Sequence, residues 1–300
     1  MTRLKILSIE EEKCIKCEDC VKACSVDLFI VQKEKNNEKK ILFTDSYRRC
    51  FRCGHCISIC PTDAILYEGA EAPFVFDEVN TPEKLLTYED LMKFIRSRKS
   101  FRVFQDKPVP KEKIDLILES MRYSPSASNR QGREYIVITN KKEIATLSRG
   151  AAGLLRFARR LMKFKYLLVP FVTGVLRRRL LSPRTKYSLE MFLDKTNKGE
   201  DMIFFKAPCV IILHSKKYSR MSPVDSGVAI THGMFAALSL GLQTCWIGLA
   251  HEYLSRRRRA RKKWGIPSNH DVFGVFVVGY SDLKFKGAPS RRPLKVQWRK

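Results

Sequence analysis

Eight of the chain's ten cysteines fall into two runs of one spacing. Cys14, Cys17, Cys20 and Cys24 read C-x2-C-x2-C-x3-C, and Cys50, Cys53, Cys56 and Cys60 repeat it, followed by Pro61. This is the bacterial iron–sulfur spacing, in which the fourth cysteine of each run ligates the other cluster. Two [4Fe–4S] clusters are therefore expected. One takes Cys14, Cys17, Cys20 and Cys60, the other Cys50, Cys53, Cys56 and Cys24. Zinc usually takes its ligands as two separated pairs. A disulfide framework would need a secreted chain, and Met1 to Leu28 carries no charged-then-apolar leader with a small-residue cleavage site. Ser25 stands where the second run has Pro61, which leaves the geometry of that turn open but not the ligation. Clusters of this kind mostly carry single electrons, and the remainder of the chain must supply what receives them.

Three hundred residues suit two domains. The segment from Arg3 to Glu68 resembles the two-cluster bacterial ferredoxins, which implies two short pseudo-symmetric halves, each a helix and a hairpin. The expected division is a cluster domain over 1–71, a linker over 72–84 and a second domain over 85–300. No apolar run reaches the roughly 18 residues of a membrane span. A chain of this kind is expected in a reducing cytoplasm.

The formal charge of +26 is unevenly placed. Residues 1–80 hold 12 Lys/Arg against 14 Asp/Glu, and residues 81–300 hold 45 against 17. The basic excess concentrates at Arg156 to Arg184 and at Arg256 to Lys263. Such charge suits anionic lipid or an acidic partner as well as a solvated helix face. No nucleic-acid motif accompanies it, and nucleic acid is not expected as a partner.

Leu85 to Arg98 has apolar residues at helical period and ends in Arg96-Ser97-Arg98-Lys99-Ser100-Phe101-Arg102. Cations and a hydroxyl at that end suit a phosphate or carboxylate, although a basic helix end also complements the helix dipole. A second helix is expected over Pro110 to Tyr123. A loop of small polar residues, Ser124 to Gly132, follows, and then a strand from Tyr135 to Thr139. Cys209 to Leu213 and Val272 to Val278 read as strands, with a long apolar helix from Asp225 through Leu240 between them.

Ser97 to Phe104 followed by Ser124 to Gln131 resembles the N-terminal signatures of the nitroreductase-like FMN flavoproteins. Asp225-Ser226-Gly227, Gly241 to Gly248, Trp264 to Pro267 and Arg291 to Leu294 extend the resemblance in order. It implies an α+β fold, a mixed sheet flanked by helices, preceded by the small ferredoxin-like α+β domain. It also implies FMN. Arg98, Lys99 and Ser100 would hold its phosphate and ribityl chain, and Arg102 would sit at the N1/O2 edge of the ring. Pro125, Ser126, Ala127 and Asn129 would line the ring from the partner of a homodimer, with Gln131 in the same loop. Ile247 and Gly248 would offer backbone groups near N5, and Arg291, with Arg292 beside it, would return to the phosphate. Gly132-Arg133 stands where the family often has Pro-Trp, which implies a looser loop. The stretch at about 151–205 has no counterpart; a lid over the flavin and a membrane-surface anchor both stay open for it.

The resulting expectation is an FMN-dependent oxidoreductase. Two clusters pass single electrons to FMN, which reduces a nitroaromatic, quinone or activated alkene by two-electron transfer. The donor is a low-potential ferredoxin-like protein or NAD(P)H. An NAD(P)H-dependent nitroreductase with an accessory ferredoxin part, the same chain run in reverse, and an electron-transfer adaptor or redox sensor remain alternatives. No side chain is assigned a catalytic role. Cys209 reads as a buried small residue. Cys245 lacks an adjacent base. His55 reads as a residue that tunes or shields a cluster. His214, His251 and His270 show no mutual metal-ligand spacing.

Overall fold

The structure is a computed structural model that describes residues 4–33 and 38–299. The side chains of Leu168, Val175, Leu176 and Arg179 lie outside the description, as does Arg3, the expected start of the ferredoxin-like segment. Residues up to Thr87, with Ala127–Arg130, form one compact unit, and Tyr88–Ser126 with the residues from Gln131 onward form a second.

The first unit contains β1 (Lys5–Ile9), α1 (Asp19–Ala23), β2 (Phe29–Lys33), β3 (Lys39–Phe43), α2 (His55–Ser58) and β4 (Ile65–Glu68). β1 pairs antiparallel with β4, and β2 with β3. Each half is therefore strand–helix–strand, with its strands paired across the halves, rather than a helix and its own hairpin. The cause is the cysteine run and helix between β1 and β2. They keep those strands apart, so each edge finds its partner in the other half. Ile6, Leu28, Phe29, Ile41, Ile57 and Ile65 form the apolar centre.

The second unit opens with α3 (Tyr88–Ser97) and α4 (Lys111–Arg122), then β5 (Arg133–Ile138) and α5 (Lys141–Lys163). Asn140 caps α5, its Oδ1 accepting from the backbone N–H of Lys142 at 2.9 Å and of Glu143 at 3.2 Å. Three helices follow: α6 (Lys165–Leu168), α7 (Gly174–Leu181) and α8 (Pro183–Asn197). Then come β6 (Cys209–Lys216), α9 (Ser222–Ser239), β7 (Gln243–Trp246), α10 (Gly248–Arg256), α11 (Arg258–Lys263) and β8 (His270–Gly279).

The sheet runs β5-β6-β8-β7, every neighbouring pair antiparallel. Ser100 adds a short parallel pairing with Thr244 on β7, which makes the sheet mixed. β6 is the buried centre, Cys209 through Ser215 all being buried. Side-chain alternation divides the core between its faces. Val210, Ile212, Val275 and Val277 face Leu147 and Ala151 of α5 and Ala250 and Leu254 of α10. Ile211, Leu213, Phe276 and Val278 face Ile117 and Met121 of α4 and Ala229 and Ile230 of α9. Each Val, Leu, Ile, Phe or Met among them contributes about 1.5–3 kcal/mol on burial, so this three-layer arrangement is the stable frame of the unit. Gly233 lets α9 approach α4, since a β-carbon there would stand 2.7 Å from Met121 Cγ.

Candidate functional site

The cysteines of the first unit divide into two sets. Cys14, Cys17, Cys20 and Cys60 line one hollow, with Ile9, Ile15, Ile41 and Ile65 around them. Cys24, Cys50, Cys53 and Cys56 line another, with Leu4, Ile6, Phe29 and Phe43. His55 lies at the second hollow.

The loops around the two sets repeat each other residue for residue. Left-handed backbone occurs at Lys16 and Arg52, two residues after the first cysteine of each run. It recurs at Glu18 and Gly54 after the second cysteine, and at Asp27 and Asp63, three after the fourth. The fourth sulfurs accept matching hydrogen bonds, Cys24 from Leu28 N–H at 3.4 Å and Cys60 from Ala64 N–H at 3.3 Å. The turn with Ser25 thus has the same form as the turn with Pro61, the point that the sequence left open. The shared left-handed residue and N–H···S bond set the turn, so proline is not needed for it.

Burial pushes the thiols of Cys20 and Cys50 up, and it pushes Cys56 up to about 12, with Cys53, Cys50 and Cys24 adding like-charge repulsion. Four sulfurs this crowded in an apolar hollow repel one another as thiolates and are satisfied by a shared cationic centre. This donor set fits an iron–sulfur cluster.

In the second unit the segment after α3 runs along the edge of β7. Ser100 bridges Thr244, and Phe101 N–H donates to Thr244 O at 3.0 Å. Arg98 and Lys99 are half-buried there, while Ser100 and Arg102 are exposed. Among the described residues none of Arg98, Lys99 and Arg102 pairs with a carboxylate. β7 leads directly to Ile247, whose N–H donates to Val275 O at 2.7 Å, and to exposed Gly248 at the start of α10. A β-carbon on Gly248 would meet open space. Burial pushes the Cys245 thiol up, opposed by Arg102, a hydrogen bond to Ser100, and Arg98. The structure therefore lays the segment with Arg98, Ser100 and Arg102 alongside β7, which runs into Ile247 and Gly248. Cations without carboxylate partners beside an open backbone fit a phosphorylated ligand with an electron-rich ring edge.

The other expected residues are placed differently. Ala127, Asn129 and the residues between them group with the first unit, where Asn129 Nδ2 donates to Arg52 O at 2.5 Å. Pro125 is exposed, and Ser126 Oγ accepts from Gln131 N–H at 3.1 Å. Arg291 and Arg292 lie in an exposed tail, Arg291 donating to Pro289 O and Ser290 O. The tail does reach the cation segment through Phe285. Its ring lies 5.4 Å from Phe101, and Lys99 Nζ is 4.7 Å from its centroid.

Arg133 is the residue that the sequence reading undervalued. It is buried, and its guanidinium donates to Ser124 O at 2.8 Å, Pro125 O at 3.1 Å and Asp225 O at 3.5 Å. The loop start is thereby pinned rather than loose. Only the apposition of α9 to the loop, which a linear reading lacks, reveals the role. His214 and His270, 56 residues apart in the chain, also meet, Nδ1 to Nδ1 at 2.9 Å. Burial pushes His214 down, Glu134 opposes and His270 reinforces it.

Two family models match this chain: the nitroreductase family over residues 95–280 and the 4Fe-4S dicluster domain over residues 13–64. The chain belongs to the nitroreductase family and carries a 4Fe-4S dicluster domain ahead of it. It is similar to the 4-nitrobenzoate reductase of a Nocardioides species, 24% identical over 217 residues, covering 67% of this chain and 85% of the relative. Its fold is that of a nitroreductase with bound FMN from Desulfitobacterium hafniense, at TM-score 0.52 and 19% identity over 70% of this chain and 97% of the other. A BluB-like flavoprotein of Clostridium difficile shares it too, at TM-score 0.53 and 17% identity over 68% and 94%.

Proposed function

We propose that the protein is an FMN-dependent oxidoreductase. Electrons from a low-potential donor enter singly at the cluster unit and leave in pairs to a small organic acceptor. Bound clusters supply the one-electron chemistry and bound FMN the two-electron chemistry. Cys14, Cys17, Cys20 and Cys60 would hold one cluster, and Cys24, Cys50, Cys53 and Cys56 the other. Arg98, Lys99 and Ser100 would bind the FMN phosphate and ribityl chain, with Arg291 and Arg292 reaching it from the tail. Arg102 would face the ring edge where negative charge gathers, and Gly248 would orient the ring with its backbone, whereas buried Ile247 beside it has its N–H and carbonyl bonded to Val275 and His251. Pro125, Ser126, Ala127, Asn129 and Gln131 would close over the ring from the partner of a homodimer. A nitroaromatic, quinone or activated alkene is the acceptor class, and the name of the Nocardioides relative supports the first.

The observation that carries this reading is one chain holding both eight cysteines in two four-thiol hollows and, alongside β7, a cationic segment without carboxylate partners among the described residues. Anaerobic stopped-flow on reconstituted protein tests it, following cluster and flavin absorbance together. Reduced ferredoxin or dithionite should bleach the clusters first and the flavin at a matching rate. Reduction of FMN by NADH or NADPH with oxidised clusters would overturn the relay. Arg102→Ala should slow flavin reduction about tenfold and leave cluster reduction unchanged. That is less than the loss of a buried donor, because Arg102 is exposed. Unchanged flavin kinetics would remove Arg102 from the ring edge.

The stretch expected as a lid or an anchor has a surface that favours the second role. Phe157, Leu161, Phe164, Tyr166, Leu167 and Phe171 are all exposed. Arg156, Arg159, Arg160 and Lys163 stand among the first three of them. Among the described residues no helix is long and apolar enough to cross a membrane, so the contact we propose is with the lipid surface. The protein should co-float with vesicles of anionic phospholipid at low ionic strength and be released by molar salt. Failure to float at low salt would leave the lid as the reading.

A further inference from the structure

Three strands of the second unit place a donor set that the flavin reading does not use. Glu134 on β5 lies directly opposite His214 on β6. His214 lies opposite Val272 on β8, and His270 is two residues further along β8, opposite Lys216. Residues directly opposite and diagonal on one sheet face bring their side chains together. A register irregularity decides that His270 is on that face. Leu213 pairs with Gly274 and His214 with Val272, which leaves Phe273 as an extra residue on β8. Val275 and Val277 point to the α5 side. With strict alternation Phe273 and Asp271 would follow them there. The bulge shifts the phase by one, so Val272 and His270 take that side instead, Val272 packing in the same cluster. A bulge that re-aims a polar side chain at another polar side chain is a placed feature of the strand.

Both imidazoles are almost fully buried, at 3% and 4% exposure. Glu134 Oε1 lies 3.8 Å from His270 Nε2. One ring nitrogen from each histidine and one carboxylate oxygen all lie within 4.8 Å of one another. Bonds of about 2.0–2.1 Å in a tetrahedron put ligand atoms roughly 3.4 Å apart. The three donor atoms already stand within 4.8 Å of one another, so side-chain rotations that exchange the direct histidine–histidine hydrogen bond for bonds to a shared ion complete the set. Two imidazoles with one carboxylate match a borderline divalent ion, not calcium or magnesium, which take oxygen ligands. Exposed Glu134 gives the ion a route in and leaves a coordination position facing solvent.

We propose that Glu134, His214 and His270 form a zinc-type divalent metal site that ties β5, β6 and β8 together at one end of the sheet. It is separate from the cysteine hollows and independent of the flavin reading.

The test uses the full chain with its clusters reconstituted, dialysed against micromolar zinc. The clusters occupy the cysteine ligands, so one additional zinc per chain is expected. Zinc K-edge absorption should show nitrogen and oxygen neighbours at about 2.0–2.1 Å and no sulfur at about 2.3 Å. The melting midpoint should rise with zinc concentration. His214→Ala and His270→Ala should each abolish the additional zinc. Glu134→Gln, at an exposed position that leaves the core untouched, should weaken binding at least about tenfold. Sulfur scattering, no zinc beyond that of a zinc-free control, or unchanged affinity in Glu134→Gln would each overturn the site and leave a hydrogen-bonded histidine pair.

Discussion

Cys56→Ala is expected to yield a folded protein with half the wild-type iron and acid-labile sulfide. Cys56 is buried at the first turn of α2 and shares its hollow with Cys24, Cys50 and Cys53. Alanine removes one of four sulfurs and leaves the iron at that corner without a protein ligand. Cys14, Cys17, Cys20 and Cys60 line a different hollow and keep their full complement. Cys56 belongs to the apolar centre of the unit, and the centre tolerates the change because a cysteine-to-alanine cut removes only one sulfur from it. The functional loss should be far larger than the structural one. Electron entry from reduced ferredoxin should fall on the order of 100-fold or more if the route needs both clusters, since each 1.36 kcal/mol of barrier is a factor of ten. Iron and sulfide assays, with electron paramagnetic resonance of the dithionite-reduced protein, read the first outcome, and stopped-flow reads the second. Unchanged iron would remove Cys56 from the ligand set. The matched variant Cys17→Ala should lose the other half, and a spectrum identical to that of Cys56→Ala would overturn the division of cysteines by hollow.

That division was legible from spacing because cluster ligation is mostly local: three of four ligands lie within seven residues. The strands of the core were legible for a related reason. β6 and β8 are apolar and β-branched runs, and burial on both faces needs no more than that. Helix α9 showed through its unbroken apolar length. What a linear reading lacked was pairing. β1 joins β4 and β2 joins β3, which the helix-and-hairpin expectation missed because strand partners are chosen in space. The insertion expected at about 151–205 begins in mid-helix, since α5 runs without a break from Lys141 to Lys163. Its boundary is one of family resemblance and not of secondary structure. The histidine pair was invisible for the strongest reason. Its partners are 56 residues apart, and a single extra residue in β8 brings them to one face.

Arg133→Ala is expected to release the loop from Ser124 to Gly132, although Arg133 would touch no ligand in the reading above. That loop contains Ser128, Asn129 and Gln131 at φ 52, 47 and 49. Each left-handed non-glycine residue costs on the order of 1 kcal/mol, so the conformation holds only if its surroundings impose it. The guanidinium supplies the hold at the loop's start. It ties two successive carbonyls, Ser124 O and Pro125 O, to the backbone of α9 at Asp225. Alanine removes these charge-assisted bonds and leaves buried Ser124 O without its donor, a loss of about 3 kcal/mol. Arg133→Lys should recover only part of it, because an ammonium cannot present the planar fork that reaches two carbonyls at once. Limited proteolysis should then cut within 126–131 in Arg133→Ala and spare the wild type. FMN retention on gel filtration should fall at least about tenfold, since ordering the loop would have to come from binding energy. Iron content should not change, because the bonds Arg133 makes lie within its own unit and the loop tip keeps its separate bond from Asn129 to Arg52 O beside the second hollow. Wild-type protease resistance together with wild-type FMN retention would show that the left-handed turn is held by Ser126 and by the Asn129 bond to Arg52 O, and that Arg133 only fills space at the start of β5.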